Sequence, residues 1–217
     1  LVTDWETRGQ LASNCCSGTA KVLWLGRLGR PDCMKPCNDV GKQVSRWSNN
    51  DDKRLYRLCC YIDTTKDFTL EGYVGDPFHE CYLVLYADSD FAGEKEHAKS
   101  TTGCYLVLEG ANTWFPLCWV NKTQTSTARS STAAECIALA HGLFQEALPM
   151  MDLMDTLMVD SSGKSHPCRL LIREDNKATI EICKSGYSQK MRADNRTDKV
   201  NLSSIAENLA KDGIDIE

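Results

Sequence analysis

Three acidic residues lie where the sequence predicts the ends of buried strands or the start of a helix. Their carboxylates would suit a site for divalent cations. Asp88 follows the apolar run Cys81–Tyr86, Glu135 lies near the start of an apolar helical pattern, and Asp175 follows the apolar stretch Arg169–Ile172. A carboxylate beside a buried element is costly unless it is solvated, paired or bound to a cation. Mg²⁺ prefers carboxylate oxygens, and two such ions about 4 Å apart can activate a water and stabilise the leaving oxygen in phosphodiester hydrolysis. We therefore expect the three carboxylates to converge around divalent metal.

Each of these acids also has a purely structural interpretation. Thr132 and Glu135 have the spacing of a helix capping box, in which a Glu at the third helical position bonds back to the cap. Asp175 could be the N-cap of a short helix, and Asp88 and Asp90 could begin a solvated turn. These alternatives remain open at the level of the sequence.

The elements that would position the acids are predicted from apolar periodicity and from breaker residues. Pro116 should place the third strand at a sheet edge or give it a bulge, and Pro149 should kink or end the first long helix of this part. The predicted strands are Cys81–Tyr86, Cys104–Leu108, Thr113–Val120, Arg169–Ile172 and a strand beginning near Ile214. The predicted helices are Ser17–Leu28, Asp39–Cys60, Thr132–Leu148, Asn176–Lys184 and Val200–Lys211, with a polar loop over 185–199. This order predicts an α/β fold with a mixed sheet flanked by helices.

Composition excludes several classes of protein. The chain has 217 residues and a formal net charge of −5, so it is not a generally basic nucleic-acid binder. The basic residues interleaved in the predicted helix Asp39–Cys60 fit a solvated face or a nucleic-acid contact equally well. No apolar run approaches the length of a membrane span.

Cysteine usage argues against a zinc site. The chain has 12 cysteines, but no C-x2-C pair occurs and its four histidines are far apart in sequence. Free buried thiols in a reducing intracellular compartment, the cytoplasm, the nucleus or another organelle, are the better explanation.

The stretches that hold the three acids resemble a known family as a set. YADSDFAGEKEHAKSTTGCYLVL, SSTAAECIALA and DNKATIEI, at these intervals, are similar to the ribonuclease H domain of copia-type LTR retrotransposon polyproteins. Upstream, KVLWLGRLGRPD and DDKRLYRLCCYI resemble the end of the reverse transcriptase in the same polyproteins. The resemblance extends from about Gly18 to Glu217.

The resemblance implies a fold, an activity and a set of site residues. It implies an RNase H-like mixed five-stranded sheet in residues 76–217, preceded by a small, mostly helical connection segment in residues 1–75. It implies hydrolysis of the RNA strand of RNA–DNA hybrids with two Mg²⁺ or Mn²⁺ ions, for which Asp88, Glu135 and Asp175 are the matching metal ligands and catalytic residues. Ser130 and Ser131 are the candidates for contact with the nucleic-acid backbone.

The sequence also departs from the family, which leaves a second interpretation open. The family's fourth ligand is an Asp on a helix after the fifth strand, and this chain is expected to stop within that strand, with the domain incomplete at its C-terminal end. The polymerase palm and fingers are missing, so we expect no reverse transcriptase activity. The alternative is therefore an inactive RNase H-like remnant. It would act as a structural or interaction subunit, with a protein partner covering the incomplete edge, or as a nucleic-acid-binding module.

Overall fold

The computed structural model describes residues 3–93, 98–158, 160, 162–189, 191 and 200–217. The chain divides into two compact units, one up to Leu70 and one from Glu71 onward. The sequence places residues 71–75 in the helical segment. In the structure they belong to the second unit, because Tyr73 and Val74 form a strand of its sheet. Most of the predicted loop over 185–199 lies outside the described residues.

The first unit is helical in its described residues. Its α-helices are α1 (Thr3–Glu6), α2 (Cys15–Leu28), α3 (Met34–Gly41) and α4 (Asn49–Thr64), with short 3-10 turns at Pro31–Cys33 and Val44–Arg46. The prediction of one helix over 39–60 is wrong. The chain is extended at Trp47, and Ser48 then caps α4 in a capping box with Asp51. Apolar residues from α2, α3 and α4, including Val22, Val40 and Leu55, pack around Trp47 as the core of this unit.

The second unit is a sheet with helices. Its strands are β1 (Tyr73–Val74), β2 (Tyr82–Asp90), β3 (Thr101–Gly110), β4 (Thr113–Thr123), β5 (Leu170–Arg173) and β6 (Ile214–Ile216). Its described helices are α5 (Ser131–His141), α6 (Leu148–Leu157), α7 (Lys177–Ser185) and α8 (Leu202–Leu209), with a π-helical segment at Gly142–Ala147 and a 3-10 turn at Phe78–Glu80.

The sheet is mixed, as predicted. Its strand order is β1-β4-β3-β2-β5-β6. The first four strands in this order pair antiparallel, whereas β2, β5 and β6 run parallel to one another. The α/β fold class is thus confirmed, with six strands rather than five because the short β1 pairs with β4. The carboxyl ends of β2, β5 and β6 therefore meet at one edge of the sheet.

Proline 116 marks an irregularity in β4, as the sequence indicated. Val107 of β3 pairs with Pro116, but the preceding Leu106 pairs with Cys118, so that Leu117 is an extra residue in β4. This is a β-bulge beside a residue that has no N–H to give to the ladder.

One face of β2 packs against the helix that carries Glu135. Leu83, Leu85 and Ala87 alternate along the strand and are buried together with Leu139 of α5. Gly142 allows this close approach, since a Cβ atom there would lie 3.1 Å from the methyl carbons of Leu85. The apolar contact holds α5 and the segment that follows it against β2.

The helical path continues past Pro149 instead of ending there. The Leu148 N–H donates to the Leu143 carbonyl, five residues back, at the end of the π-helical segment Gly142–Ala147. Pro149 follows as one of the first residues of α6 and has no N–H to donate. The wider turn thus accommodates a residue that an uninterrupted α-helix would not tolerate well.

Two further predictions concern the whole chain. All twelve cysteines are free thiols, but the prediction that they are buried is wrong for Cys16, Cys59 and Cys60, which are exposed. None of the helices in the described part of the chain is both long and apolar enough to cross a lipid bilayer.

Candidate metal and nuclease site

Asp88 is exposed and lies near the carboxyl end of β2. The strand continues to Asp90, four residues beyond the predicted end, because β3 pairs with it along its whole length and places Gly103 opposite Asp88. Strand β5 pairs with the other side of β2 as a parallel neighbour. The carboxylate therefore lies at the carboxyl end of β2, beside the carboxyl end of its parallel neighbour β5, and open α/β sheets commonly bind ligands outside such strand ends.

Asp175 is exposed and lies two residues after β5, but it is not the N-cap of the helix that follows. That role belongs to Asn176, whose side-chain oxygen accepts hydrogen bonds from the amides of Ala178 (3.1 Å) and Thr179 (3.2 Å). The structural interpretation of Asp175 as a cap is thus wrong. Its carboxylate is not needed to start α7.

Glu135 is the fifth residue of α5 and is not part of a capping box. The helix begins one residue earlier than predicted, and its cap is Ser130, whose hydroxyl accepts from the Ala133 amide at 3.1 Å. The carboxylate of Glu135 is buried, with 6% of the residue exposed, and its Oε2 atom has no hydrogen-bond partner. Local helix chemistry therefore does not account for an acid at this position.

The electrostatic environment of Glu135 connects it with the other two acids. Burial raises the pKa of Glu135 to about 7; contacts with Ser89 oppose the rise, while the charges of Asp88 and Asp175 add to it. The structure thus brings the three predicted acids close enough for their charges to interact.

Glu174 is a fourth acid of this cluster and was not anticipated from the sequence. It is buried, with 5% exposed, and its Oε2 atom also has no partner, whereas Oε1 accepts from the Asn176 amide at 3.2 Å. Burial raises the pKa of Glu174 to about 7, the Asn176 amide opposes the rise, and Glu135, Asp175 and Asp88 add to it. The available signal was an acid directly after an apolar strand and directly before Asp175.

Asp88, Glu174 and Asp175 line an open pocket of about 410 Å³ at the carboxyl ends of β2, β5 and β6. Glu217 and Arg173 also line it. Arg173 pairs with Glu217 at 3.2 Å and bonds to the Tyr86 hydroxyl at 2.7 Å. Arg173, the basic residue that lines the pocket, is thus paired with Glu217 and not with Asp88, Glu174 or Asp175.

The four carboxylates of Asp88, Glu135, Glu174 and Asp175 have no basic counterpart among the described residues, since none of the ion pairs there includes them. In the same part of the chain, no three His, Cys, Asp or Glu side chains are grouped as a ready-made metal site. The donor set nevertheless fits a hard divalent cation, because all four groups are carboxylates and two of them have an unpartnered buried oxygen. A cation would satisfy these oxygens and offset the mutual repulsion of the four charges.

Ser130 and Ser131, the candidates for nucleic-acid contact, are exposed at the start of α5. Neither lines the acidic pocket. Ser130 has the structural role of N-cap described above, which leaves its hydroxyl hydrogen able to contact a ligand. Contact of either serine with nucleic acid stays a prediction.

We expect Ser130→Ala to destabilise the chain by about 1 kcal/mol, because the Ala133 amide would lose its acceptor. Ser131→Ala, one residue on, should change the free energy of unfolding by less than about 0.5 kcal/mol. Urea denaturation of both variants measures the difference. Equal stability of the two variants would contradict the capping role.

Comparisons with known proteins give partial matches. No protein-family model matches the chain. The chain is 29% identical over 132 residues to the secreted RxLR effector protein 161 of Plasmopara viticola, an alignment that covers 61% of this chain and 87% of that protein. It is 30% identical over 112 residues to the retrovirus-related Pol polyproteins from transposons RE2 and RE1 of Arabidopsis thaliana, covering 52% of this chain but only 7% of each polyprotein.

Among solved structures, similarity is found to LC11 ribonuclease H1, isolated from compost. The TM-score is 0.40 at 15% identity, with 63% of this chain and 82% of that chain covered. The same enzyme in complex with an RNA/DNA hybrid gives a TM-score of 0.37 at 13% identity, covering 62% and 83%. The resemblance to a retrotransposon polyprotein, predicted from the motifs, is confirmed; that the matching region is its ribonuclease H domain and that the polyprotein is of the copia type stay predictions.

Proposed function

We propose that this chain, which is similar to part of the retrotransposon Pol polyproteins, is a ribonuclease H-type nuclease that hydrolyses the RNA strand of RNA–DNA hybrids. The observation that carries the proposal is the buried Glu135 carboxylate, which has an unpartnered oxygen and interacts electrostatically with Asp88 and Asp175. Neither Glu135 nor Asp175 has the capping role that would explain it otherwise. Asp88 and Asp175 lie at the carboxyl ends of parallel strands, and Glu135 interacts with both from α5, so metal binding is the best explanation for the three acids together.

The residues of the chain have distinct roles in this proposal. Asp88 and Asp175 are exposed in the pocket and would bind the cations from the solvent side. Glu135, held by α5 against the sheet, would bind from the buried side and orient the hybrid. Ser130 and Ser131 would contact the nucleic-acid backbone near the start of α5, and a contact to the 2′-hydroxyl would distinguish RNA from DNA.

Two Mg²⁺ or Mn²⁺ ions are the cofactors proposed for this site. When bound between carboxylates, such ions supply an activated water and stabilise the leaving oxygen of a phosphodiester. The carboxylates themselves need not act as nucleophiles. A net acidic protein also needs these cations to approach a phosphate backbone.

A hybrid-cleavage assay tests this function. The full 217-residue chain is incubated with a labelled RNA–DNA hybrid in Mg²⁺, in Mn²⁺ and in EDTA, with RNA–RNA and DNA–DNA duplexes as substrate controls. We expect cleavage of the RNA strand of the hybrid alone, and only with a divalent cation. Absence of cleavage with either cation, or equal cleavage of all three duplexes, would reject the proposal.

We also propose that the first unit derives from the end of the reverse transcriptase of the same polyprotein. The two stretches that resemble this region lie on α2 and α4, which pack around one core. In this proposal the first unit has no catalytic role of its own.

A second candidate function is that of an RNase H-like module that binds nucleic acid or a protein partner without hydrolysis. The match to 87% of a protein named a secreted effector favours it, because one fold can serve unrelated functions. This candidate predicts no cleavage at any cation concentration together with stable association with another chain or with the hybrid. An active, well-behaved monomer would reject it.

A further inference from the structure

We propose that Glu174 is a fourth carboxylate ligand for the divalent cations of this site and that it binds them through Oε2. The proposal rests on the proposed function to the extent that both place divalent cations among the same acids. It goes beyond that function because Glu174 matches no metal-ligand position in the motifs on which the function depends.

The backbone of Glu174 is fixed by the sheet. Its amide donates to the Glu217 carbonyl at 2.9 Å, and the Glu217 amide donates to the Ile172 carbonyl at 3.0 Å. These bonds extend the pairing of β5 and β6 by one residue beyond Arg173. Glu174 is therefore held at a defined place at the end of the sheet, directly beside Asp175.

The side chain of Glu174 is only half satisfied. Its Oε1 atom accepts the Asn176 amide, a bond that helps the chain turn into α7. Its Oε2 atom is buried without a partner, although the residue lines the same pocket as Asp88 and Asp175. A buried carboxylate oxygen without a donor costs free energy, and a cation in the pocket is the partner that its neighbours would share.

The structural role of Glu174 does not explain why the residue is an acid. A glutamine would accept the Asn176 amide equally well and would bury no charge. The start of α7 is already capped by Asn176. What the carboxylate adds over an amide is a negative charge beside Asp88, Glu135 and Asp175, and a bound cation would make that charge favourable.

Binding of Mn²⁺ to the full chain without nucleic acid tests this role. The free Mn²⁺ signal in electron paramagnetic resonance is titrated against wild type, Glu174→Gln and a control, Glu217→Gln, which removes one charge from the same pocket at a residue whose carboxylate pairs with Arg173. We expect Glu174→Gln to weaken Mn²⁺ binding about tenfold or more and Glu217→Gln to change it by less than about threefold. Thermal melting in EDTA serves as the folding control, in which Glu174→Gln should be at least as stable as wild type.

The outcomes separate this proposal from the proposed nuclease function. Equal Mn²⁺ affinity of wild type and Glu174→Gln, equal losses in both variants, or no Mn²⁺ binding by wild type overturns the role of Glu174, whether or not the hybrid is cleaved. Selective weakening by Glu174→Gln in a chain that cleaves no hybrid supports the role of Glu174 and rejects the nuclease function.

Discussion

Replacement of Glu135 by Gln is expected to lower Mg²⁺-dependent cleavage of an RNA–DNA hybrid by about a hundredfold or more, and Asp175→Asn is expected to do the same. Each substitution removes a charged ligand from cations that are worth several kcal/mol of transition-state stabilisation, which corresponds to that range in rate. Initial rates on a labelled hybrid, at saturating Mg²⁺, measure the effect.

The chain offers matched controls for this experiment. Glu181→Gln on α7 and Asp152→Asn on α6 make the same chemical changes at exposed positions outside the pocket. They should leave the rate within about twofold of wild type, as is usual for surface substitutions. Equal cleavage by wild type, Glu135→Gln and Asp175→Asn would point to a contaminating nuclease.

The stability of the chain in EDTA is expected to fall as the pH rises from about 5 to about 8. Glu135 and Glu174 have folded-state pKa values of about 7, raised by burial above the usual 4.5. The folded state therefore holds more protons than the unfolded state between these values, and its advantage is lost as the pH rises through about 7. One pKa unit corresponds to ~1.4 kcal/mol. The pKa difference of about 2.5 between 4.5 and 7 corresponds to about 3.4 kcal/mol for one group, so ionising both acids should lower Tm by about 10 °C or more in a chain of this size.

Added cation and a double variant test the origin of this pH dependence. Millimolar Mn²⁺ should restore most of the Tm lost at pH 8, because a ligand that binds the folded state stabilises it. The variant Glu135→Gln/Glu174→Gln should show a flatter Tm profile than wild type in EDTA. The Tm profiles of the two proteins have to be compared with each other, because His141 is present in both. Burial lowers the pKa of His141, and a lowered histidine pKa makes stability rise with pH, opposite to the effect of Glu135 and Glu174. Parallel profiles for the two proteins would contradict the assignment.

The sequence predicted much of the second unit because strands and amphipathic helices have strong periodic signals. The β2 to β4 region, the long helix, β5 and the final strand all form near their predicted positions. The single helix predicted over 39–60 failed at Trp47, where the backbone is extended, the side chain packs into the core of the first unit, and Ser48 caps a new helix. The short β1 has only two residues and forms by pairing with β4, so the local sequence does not predict it.

The sequence singled out the three candidate acids but could not predict the environment of each side chain. The motifs indicated Asp88, Glu135 and Asp175, yet local rules also assigned Glu135 and Asp175 to helix caps. In the structure, the N-caps of α5 and α7 are instead Ser130 and Asn176. Burial and unpartnered oxygens depend on contacts between distant segments, so the place of Glu174 directly before Asp175 in sequence did not by itself show that it joins the other three acids.

The wide turn before Pro149 determines how a change in the length of this helical stretch would affect the residues around it. One additional residue in a helix rotates every following side chain by about 100° around the axis, which would normally turn its apolar face away from the sheet. The π-helical segment Gly142–Ala147 begins seven positions after Glu135, and its wider turns offset such a rotation, so that α5 before it and α6 after it both contribute to the same core. We therefore expect that adding or removing one residue at this segment would leave Glu135 in place, and that acids in other chains are better matched to these by their place at the end of a strand or helix than by the intervals between them.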